Sequence, residues 1–231
     1  MMRLLLIASD PMEFTGILAR TVQARRVPLP VDWARSARLG GHEVVLVANG
    51  VGAKRAAAAV DAAAAQSRPD AVISTGFCGA LEDDLNIADV ITATSIQDET
   101  GAQYFAAVPL PNVRSGPICS LDRVAQTREE KQRLRSSGAC AVEMEAAGVA
   151  AHAQALGVAF HCVKAVTDLA GETMANDFNA ALRSDGHFDT MLILRGSLRH
   201  PTVRLPELLR LRNRCVRAAR VLGEFIANCR F

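Results

Sequence analysis

Aromatic side chains are scarce: tryptophan and tyrosine occur once each, and Phe, Trp and Tyr together make up 4% of the 231 residues. That disfavours the stacking platforms on which single-stranded nucleic acid is held. No excess of charge of one sign exists either. Twenty-six Lys and Arg against 24 Asp and Glu leave a formal net charge of +2, so nothing global draws the chain to a polyanion. The six cysteines (Cys78, Cys119, Cys140, Cys162, Cys215 and Cys229) never fall at C-x-x-C spacing. Most sit in apolar stretches, so buried reduced thiols are expected rather than a zinc site or a disulfide framework. Long hydrophobic runs are also missing. The opening MMRLLLIASDPME has one positive charge and a short apolar stretch before Asp10, too little for a signal-peptide core or a bilayer span. A cytoplasmic protein is the expectation.

Half of the residues are hydrophobic, drawn mainly from Ala, Val, Leu and Ile, enough for one sizeable core in a single domain over 1–231. Five β-like runs stand out: Leu4–Ala8, Val44–Ala48, Ala71–Thr75, Val90–Ala93 and Phe160–Val166. They are continuously apolar, which marks strands buried on both faces. Helical segments over Ala53–Gln66 and Ala146–Leu156 alternate with them. The expected fold is a three-layer α/β/α domain around a central mixed, mostly parallel sheet. The stretch 97–116, with two prolines, reads as a long loop. Residues 195–231 carry nine arginines and two acids and form a basic, helical C-terminal section.

Strand ends in such sheets converge on a ligand crevice, and here they carry Ser9-Asp10, Asn49-Gly50, Thr75-Gly76 and Thr167-Asp168. ANGVGAKRAAAA (48–59) reads as strand, Gly-x-Gly and helix, a place where backbone can approach a ligand. Taken alone it is equally a structural turn, since the third glycine and the acid of a dinucleotide fingerprint are missing. STGFCGAL (74–81) is a second strand followed by a glycine turn. Its Cys78 could be a nucleophile, but no partner is evident, and a small packing residue is the simpler reading. AVEMEAAGVAAH (141–152) places Glu143 and Glu145 at i, i+2, roughly 200° apart on a helix but on one face of a strand. Two solvated helix glutamates are the bland alternative. For Thr167-Asp168 the bland alternative is a helix cap.

Together these stretches resemble the nucleoside phosphorylase and nucleosidase superfamily. ISTGFCGALEDDLNIADVITAT is similar to its TG-x-x-G-x-L-x-x-x-L-x-x-G-D-V-V segment, and AVEMEAAGVAAHAQALGVAFHCVKAVTD to its VEME…(S/T)-D segment. IASDPMEF and NGVGAKRAA match the N-terminal loop and a glycine turn, in family order, over roughly residues 3–170. Among the members, the 5′-methylthioadenosine/S-adenosylhomocysteine nucleosidases are most similar. The resemblance implies a nucleoside phosphorylase-like fold, a nucleoside substrate, no metal or organic cofactor, and a homo-oligomer.

It also implies roles. Glu145 would accept hydrogen bonds from the ribose 2′- and 3′-hydroxyls, Met144 would pack on the sugar, and Glu143 would point away in support. Gly76, Phe77 and Val124 would line the substrate. Asp168 would act at purine N7, where an acid spreads the charge of a poor leaving group. Glu13 replaces the phosphate-binding arginine of the phosphorylases' G-D-P-x-R loop. A carboxylate there repels phosphate and can orient and deprotonate water. Ser74 and Phe77 likewise stand where phosphorylases tend to have an arginine and a phosphate-binding serine. Hydrolysis is therefore expected.

Two features depart from the methylthioadenosine enzymes. They stack a phenylalanine on the base from the segment matching SLDRVAQ (120–126), where this chain offers Val124. The tail resembles instead the hopanoid-associated branch, which implies adenosylhopane as substrate. Within the tail, Leu205, Leu208, Leu209, Val216, Val221 and Phe225 alternate with five arginines over 205–226. An amphipathic helix packed on the domain is one reading; peripheral contact with an anionic membrane is the sharper one. The rival functions are phosphorolysis, with arginines of the tail or of another subunit holding phosphate, and a silent nucleoside-binding protein.

Overall fold

A computed structural model describes residues 1–105 and 113–229. Ten strands form one sheet: β1 (Arg3–Ala8), β2 (Val22–Arg26), β3 (Trp33–Leu39), β4 (His42–Ala48), β5 (Ala71–Ala80), β6 (Val90–Asp98), β7 (Gln103–Phe105), β8 (Arg114–Ser120), β9 (Ala141–Glu143) and β10 (Ala159–Asp168). The helices are α1 (Thr15–Leu18), α2 (Ala53–Gln66), α3 (Arg128–Arg135), α4 (Ala146–Leu156), α5 (Phe178–Ala181), α6 (Thr190–Ser197) and α7 (Pro201–Asn228).

The sheet is mixed. It runs parallel along β4–β1–β5–β10 and along β6–β8–β9, and antiparallel at the β2–β3–β4 edge. The antiparallel β10–β6 and β5–β9 pairings close five strands into a ring. Strand β5 lies at that junction, with partners in β1, β10 and β9.

Three layers follow from the burial pattern. The alanine faces of α2 and α4 (Ala56, Ala59, Ala63; Ala146, Ala150, Ala153) pack on one side of the sheet with Val60 and Val149. Small side chains let these helices lie close to the strands. On the other side α7 presents Ala218, Leu222 and Ile226 to Leu4, Leu6, Ile73 and Val163. Ala53–Gln66 and Ala146–Leu156 are helical as expected, and the five expected strands are present, each extended by one or more residues.

Three expectations need correction. The glycine turn expected after Thr75 is strand: β5 runs through Gly76 and Gly79 because β10 pairs alongside it from Ala71 to Gly79. The loop expected over 97–116 is in part sheet, since β6 reaches Asp98 and β7 folds back on it antiparallel, and β8 begins at Arg114. Residues 106–112 lie outside the described residues. In α7 the buried face is Cys215, Ala218, Ala219, Leu222 and Ile226, whereas Leu209 and Val216 are exposed. No described helix is long and apolar enough to cross a membrane.

Candidate functional site

A cavity of about 310 Å³ opens where the C-terminal ends of β1, β5 and β10 meet the start of α4. That size suits a small organic ligand. Ser9, Glu13, Phe77, Val124, Glu143, Met144, Glu145, Thr167 and Asp168 line it. Seven of the eight residues expected to form the site are therefore brought together, and the eighth, Gly76, adjoins Glu13.

Glu13 stands in a turn (Pro11–Phe14) that immediately follows β1. Asp10 caps that turn by accepting from the Met12 amide at 2.7 Å, and Phe14, fully buried, stacks on Trp33 with ring centroids 5.5 Å apart. The turn is thereby fixed at both ends. Four donors orient the buried Glu13 carboxylate. Its Oε2 accepts from Ser9 N at 2.8 Å, Ser9 Oγ at 2.9 Å and Asp10 N at 3.0 Å, and its Oε1 accepts from Phe77 N at 2.8 Å. Gly76 makes this approach possible. At φ +117° it holds a conformation that side chains resist, and a β-carbon there would lie 2.3 Å from Glu13 Oε1.

Neither of the two readings of AVEMEA from residues alone describes its conformation. Glu143 ends β9 and Glu145 is the N-cap residue of α4, so strand geometry passes into helix between them. The Glu143 side chain is fully buried and supports the site from behind. Its carboxylate accepts from the Glu145 amide at 2.9 Å and the Ala146 amide at 2.9 and 3.0 Å, satisfying donors at the helix start that lack intrahelical partners. It also lies 2.8 Å from Lys164 Nζ. Lys164, fully buried on β10, donates as well to the carbonyl of Thr75 at 3.1 Å and to Glu145 Oε2 at 3.4 Å.

Glu145 Oε1 accepts from the Gly52 amide at 3.3 Å, which is how the second glycine of NGVG reaches the site. Burial pushes the Glu145 carboxyl up, and Lys164 only partly offsets this because Glu143 and Glu13 add repulsion; the pKa stands at about 7. Burial pulls the Lys164 ammonium down, but the carboxylates of Glu143 and Glu145 outweigh it and hold it charged.

Asp168 ends β10. No helix starts there, so the helix-cap alternative falls. Its Oδ2 pairs with Lys131 Nζ, and its Oδ1 accepts weakly from Thr167 Oγ1 at 3.3 Å. Gly79 again clears the space, since a β-carbon there would lie 2.8 Å from Asp168 Oδ2.

The apolar wall comes from Val51, Val124, Met174, Phe178, Phe188, Ile193 and Leu211. Val124 is held by Asn179, whose Oδ1 accepts from the Val124 amide at 2.8 Å and whose Nδ2 donates to its carbonyl at 2.9 Å. Phe178 and Phe188 meet edge to face at 6.1 Å and give the cavity an aromatic surface, while the 120–126 segment contributes Val124. Ser74 is fully buried in β5 and outside the lining. Asn49 is also used structurally, donating to the Arg55 carbonyl at 2.9 Å. Cys78 touches the cavity, but burial raises its thiol well above the ordinary range, which fits packing rather than nucleophilic attack.

The cationic partners Lys131 and Lys164 were not anticipated. Lys164 had a signal, a single lysine inside the apolar strand FHCVKAVT. Lys131 had none, since it is one charge among several in REEKQRLR.

A model of the family described as the phosphorylase superfamily matches residues 34–112 and 105–185. The chain belongs to the phosphorylase superfamily. It is 28% identical over 225 residues to the 5′-methylthioadenosine/S-adenosylhomocysteine nucleosidase of Bacillus subtilis (strain 168), covering 84% of this chain and 97% of that protein. Among solved structures, the S-adenosylhomocysteine nucleosidase of Streptococcus pyogenes in complex with 5-methylthiotubericidin superposes with a TM-score of 0.74 at 22% identity, covering 100% of this chain and 98% of that one. A futalosine hydrolase mutant of Helicobacter pylori strain 26695 superposes with a TM-score of 0.75 at 17% identity, covering 98% and 97%. The superfamily fold is thus shared along the whole described chain.

Proposed function

We propose that this superfamily member hydrolyses the N-glycosidic bond of an adenine nucleoside with a 5′ substituent. The observation that carries the reading is the charge of the cavity. Glu13, Glu143, Glu145 and Asp168 line it. Lys164 offsets Glu143 and Glu145 and Lys131 offsets Asp168, but Glu13 is in no ion pair among the described residues. The one cation among the described lining residues, Arg123, is already paired with Glu130. Of the tail arginines, Arg210 and Arg214 reach only a neighbouring cavity of about 110 Å³. Arg214 is committed to Glu172 at 2.7 and 2.8 Å. A phosphate dianion meets net repulsion here, whereas a neutral water does not.

In this reading Glu13 orients the water and takes one of its protons as the oxygen attacks C1′. The C1′–N9 bond breaks with its electron pair going to the base, and Asp168, entering the step with a proton on Oδ1, passes that proton to N7 so that adenine leaves neutral. Glu145 accepts from the ribose hydroxyls, and its negative charge also stabilises the oxocarbenium-like transition state. Met144 packs on the sugar. Phe77, Val124 and Phe178 offer apolar surface to the substrate.

The 5′ group points, in this reading, to the apolar wall of Met174, Phe188, Ile193 and Leu211, which favours an apolar substituent; one as large as that of adenosylhopane would extend beyond the cavity of about 310 Å³. The exposed apolar and basic faces of α6 and α7 fit peripheral contact with an anionic membrane, where such a substrate would reside. The family resemblance favours a homo-oligomer. The test is adenine release by the purified protein from methylthioadenosine, S-adenosylhomocysteine and adenosylhopane. Release from at least one supports the reading. Binding of all three with release from none would leave a nucleoside-binding protein.

A further inference from the structure

Lys131 is a buried cation that the proposed chemistry leaves without a task. It projects from α3, is 1% exposed, and does not line the cavity. Its ammonium pairs with Asp168 Oδ2 and donates to the Leu169 carbonyl at 2.8 Å. An ammonium taken out of water is costly unless it is paired, so its placement requires a compensating contact. The local framework serves that placement. Thr127 Oγ1 caps α3 by accepting from Glu130 N at 3.2 Å, and Thr173 Oγ1 accepts from Arg128 N at 3.0 Å. The Met174 amide donates to the Gln126 carbonyl at 2.8 Å, which ties the start of α3 to the segment that follows Asp168.

We propose that Lys131 is a positioning residue for Asp168, fixing Oδ2 so that Oδ1 is the oxygen presented to the departing base. This rests on the reading of Asp168 as the group that assists the leaving base. A carboxylate at the end of a strand can rotate about its Cβ–Cγ bond, and either oxygen could turn to the cavity. Gly79 leaves room for the carboxylate on one side, and Lys131 holds Oδ2 on the other. What remains free to face the base is Oδ1, whose one hydrogen bond among the described residues is the long one from Thr167 Oγ1. Once Oδ1 has given its proton to the base, the lysine supplies the counter-charge to the carboxylate that remains, without itself entering the site.

The experiment is a double-mutant cycle on the full chain, with Lys131→Met, Asp168→Asn and the double variant compared by kcat and KM on an adenine nucleoside. Lys131→Met is expected to lower kcat on the order of 10–100-fold, the range for groups that orient a reacting side chain, with KM changed little. In the Asp168→Asn background the same change should have almost no further effect, because residues acting through one another are not additive. Lys131→Arg, which keeps a cation against Asp168, should restore most of kcat, and it carries the test if Lys131→Met does not fold. Equal losses in both backgrounds, no loss at all, or failure of arginine to restore kcat would overturn the proposal. If Asp168→Asn is costly while Lys131→Met is silent, the inference alone fails. If Asp168→Asn is itself silent, the reading of Asp168 fails with it.

Discussion

The amide of Phe77 donates to Glu13 Oε1 across 2.8 Å, joining the turn after β1 to the middle of β5. That contact needs Gly76, because any side chain at the preceding position would occupy the space of the carboxylate. Gly76→Ala places a methyl group in contact with Glu13 at a φ that costs on the order of 1–3 kcal/mol for a non-glycine residue. The expected result is a lowered melting temperature together with a fall in kcat larger than the stability loss explains. Thermal unfolding and single-turnover adenine release on one preparation check this; full activity in Gly76→Ala would show that Glu13 has no fixed role.

Glu13→Gln and Asp168→Asn should each slow the chemical step by roughly 10²–10⁴-fold, the usual contribution of a positioned acid–base group. Circular dichroism should remain that of the parent. A Glu13→Gln protein with unchanged single-turnover rate would remove the proposed water-orienting group.

The pKa of Glu145 predicts a pH profile. Its carboxyl is raised to about 7, and only the ionised form is an acceptor for both ribose hydroxyls. As pH falls through that value the group gains a proton, so kcat/KM should drop on the acid side of neutrality and level off above it. Glu145→Gln should lower kcat/KM at high pH and abolish this limb, while affinity for free adenine stays near that of the parent. An unchanged acid limb in Glu145→Gln would assign it to another group.

Much of this arrangement was legible in the sequence, and the reasons differ by element. The alanine faces of α2 and α4 and the apolar β1, β4 and β10 read directly, since burial on both faces leaves an unbroken apolar run. Strands β2 and β3 did not: β2 is exposed along its length, and β3 draws on small and basic side chains at the sheet edge. The β5 extension was hidden because Gly76 and Gly79 read as a turn, whereas the two glycines make room within the strand for Glu13 and Asp168. The carboxylates were visible through motif resemblance. Their cations were not, because a lysine such as Lys131 gains its meaning from a partner 37 residues away.

The exposed faces of α6 and α7 give a separate prediction. Met191, Leu198, Leu209 and Val216 are more than half exposed, with the exposed Arg195, Arg199, Arg210, Arg212 and Arg217 among them. Each arginine near an anionic surface contributes about 1 kcal/mol. The protein should sediment with anionic vesicles at low salt, lose binding as salt rises, and ignore neutral vesicles. Replacing three of these arginines with glutamine should weaken binding by at least tenfold. Absence of vesicle binding at low salt, combined with strong preference for methylthioadenosine over adenosylhopane, would reject both the membrane contact and the lipid substrate.

The central claim is that water, not phosphate, attacks C1′ in a cavity lined by Glu13, Glu143, Glu145 and Asp168. The most direct measurement follows adenine release and the sugar product together, in phosphate-free buffer and again with phosphate added. The account predicts equal rates in the two buffers and a free sugar with no phosphorus signal at C1. Release that requires phosphate and yields a ribose 1-phosphate would contradict it.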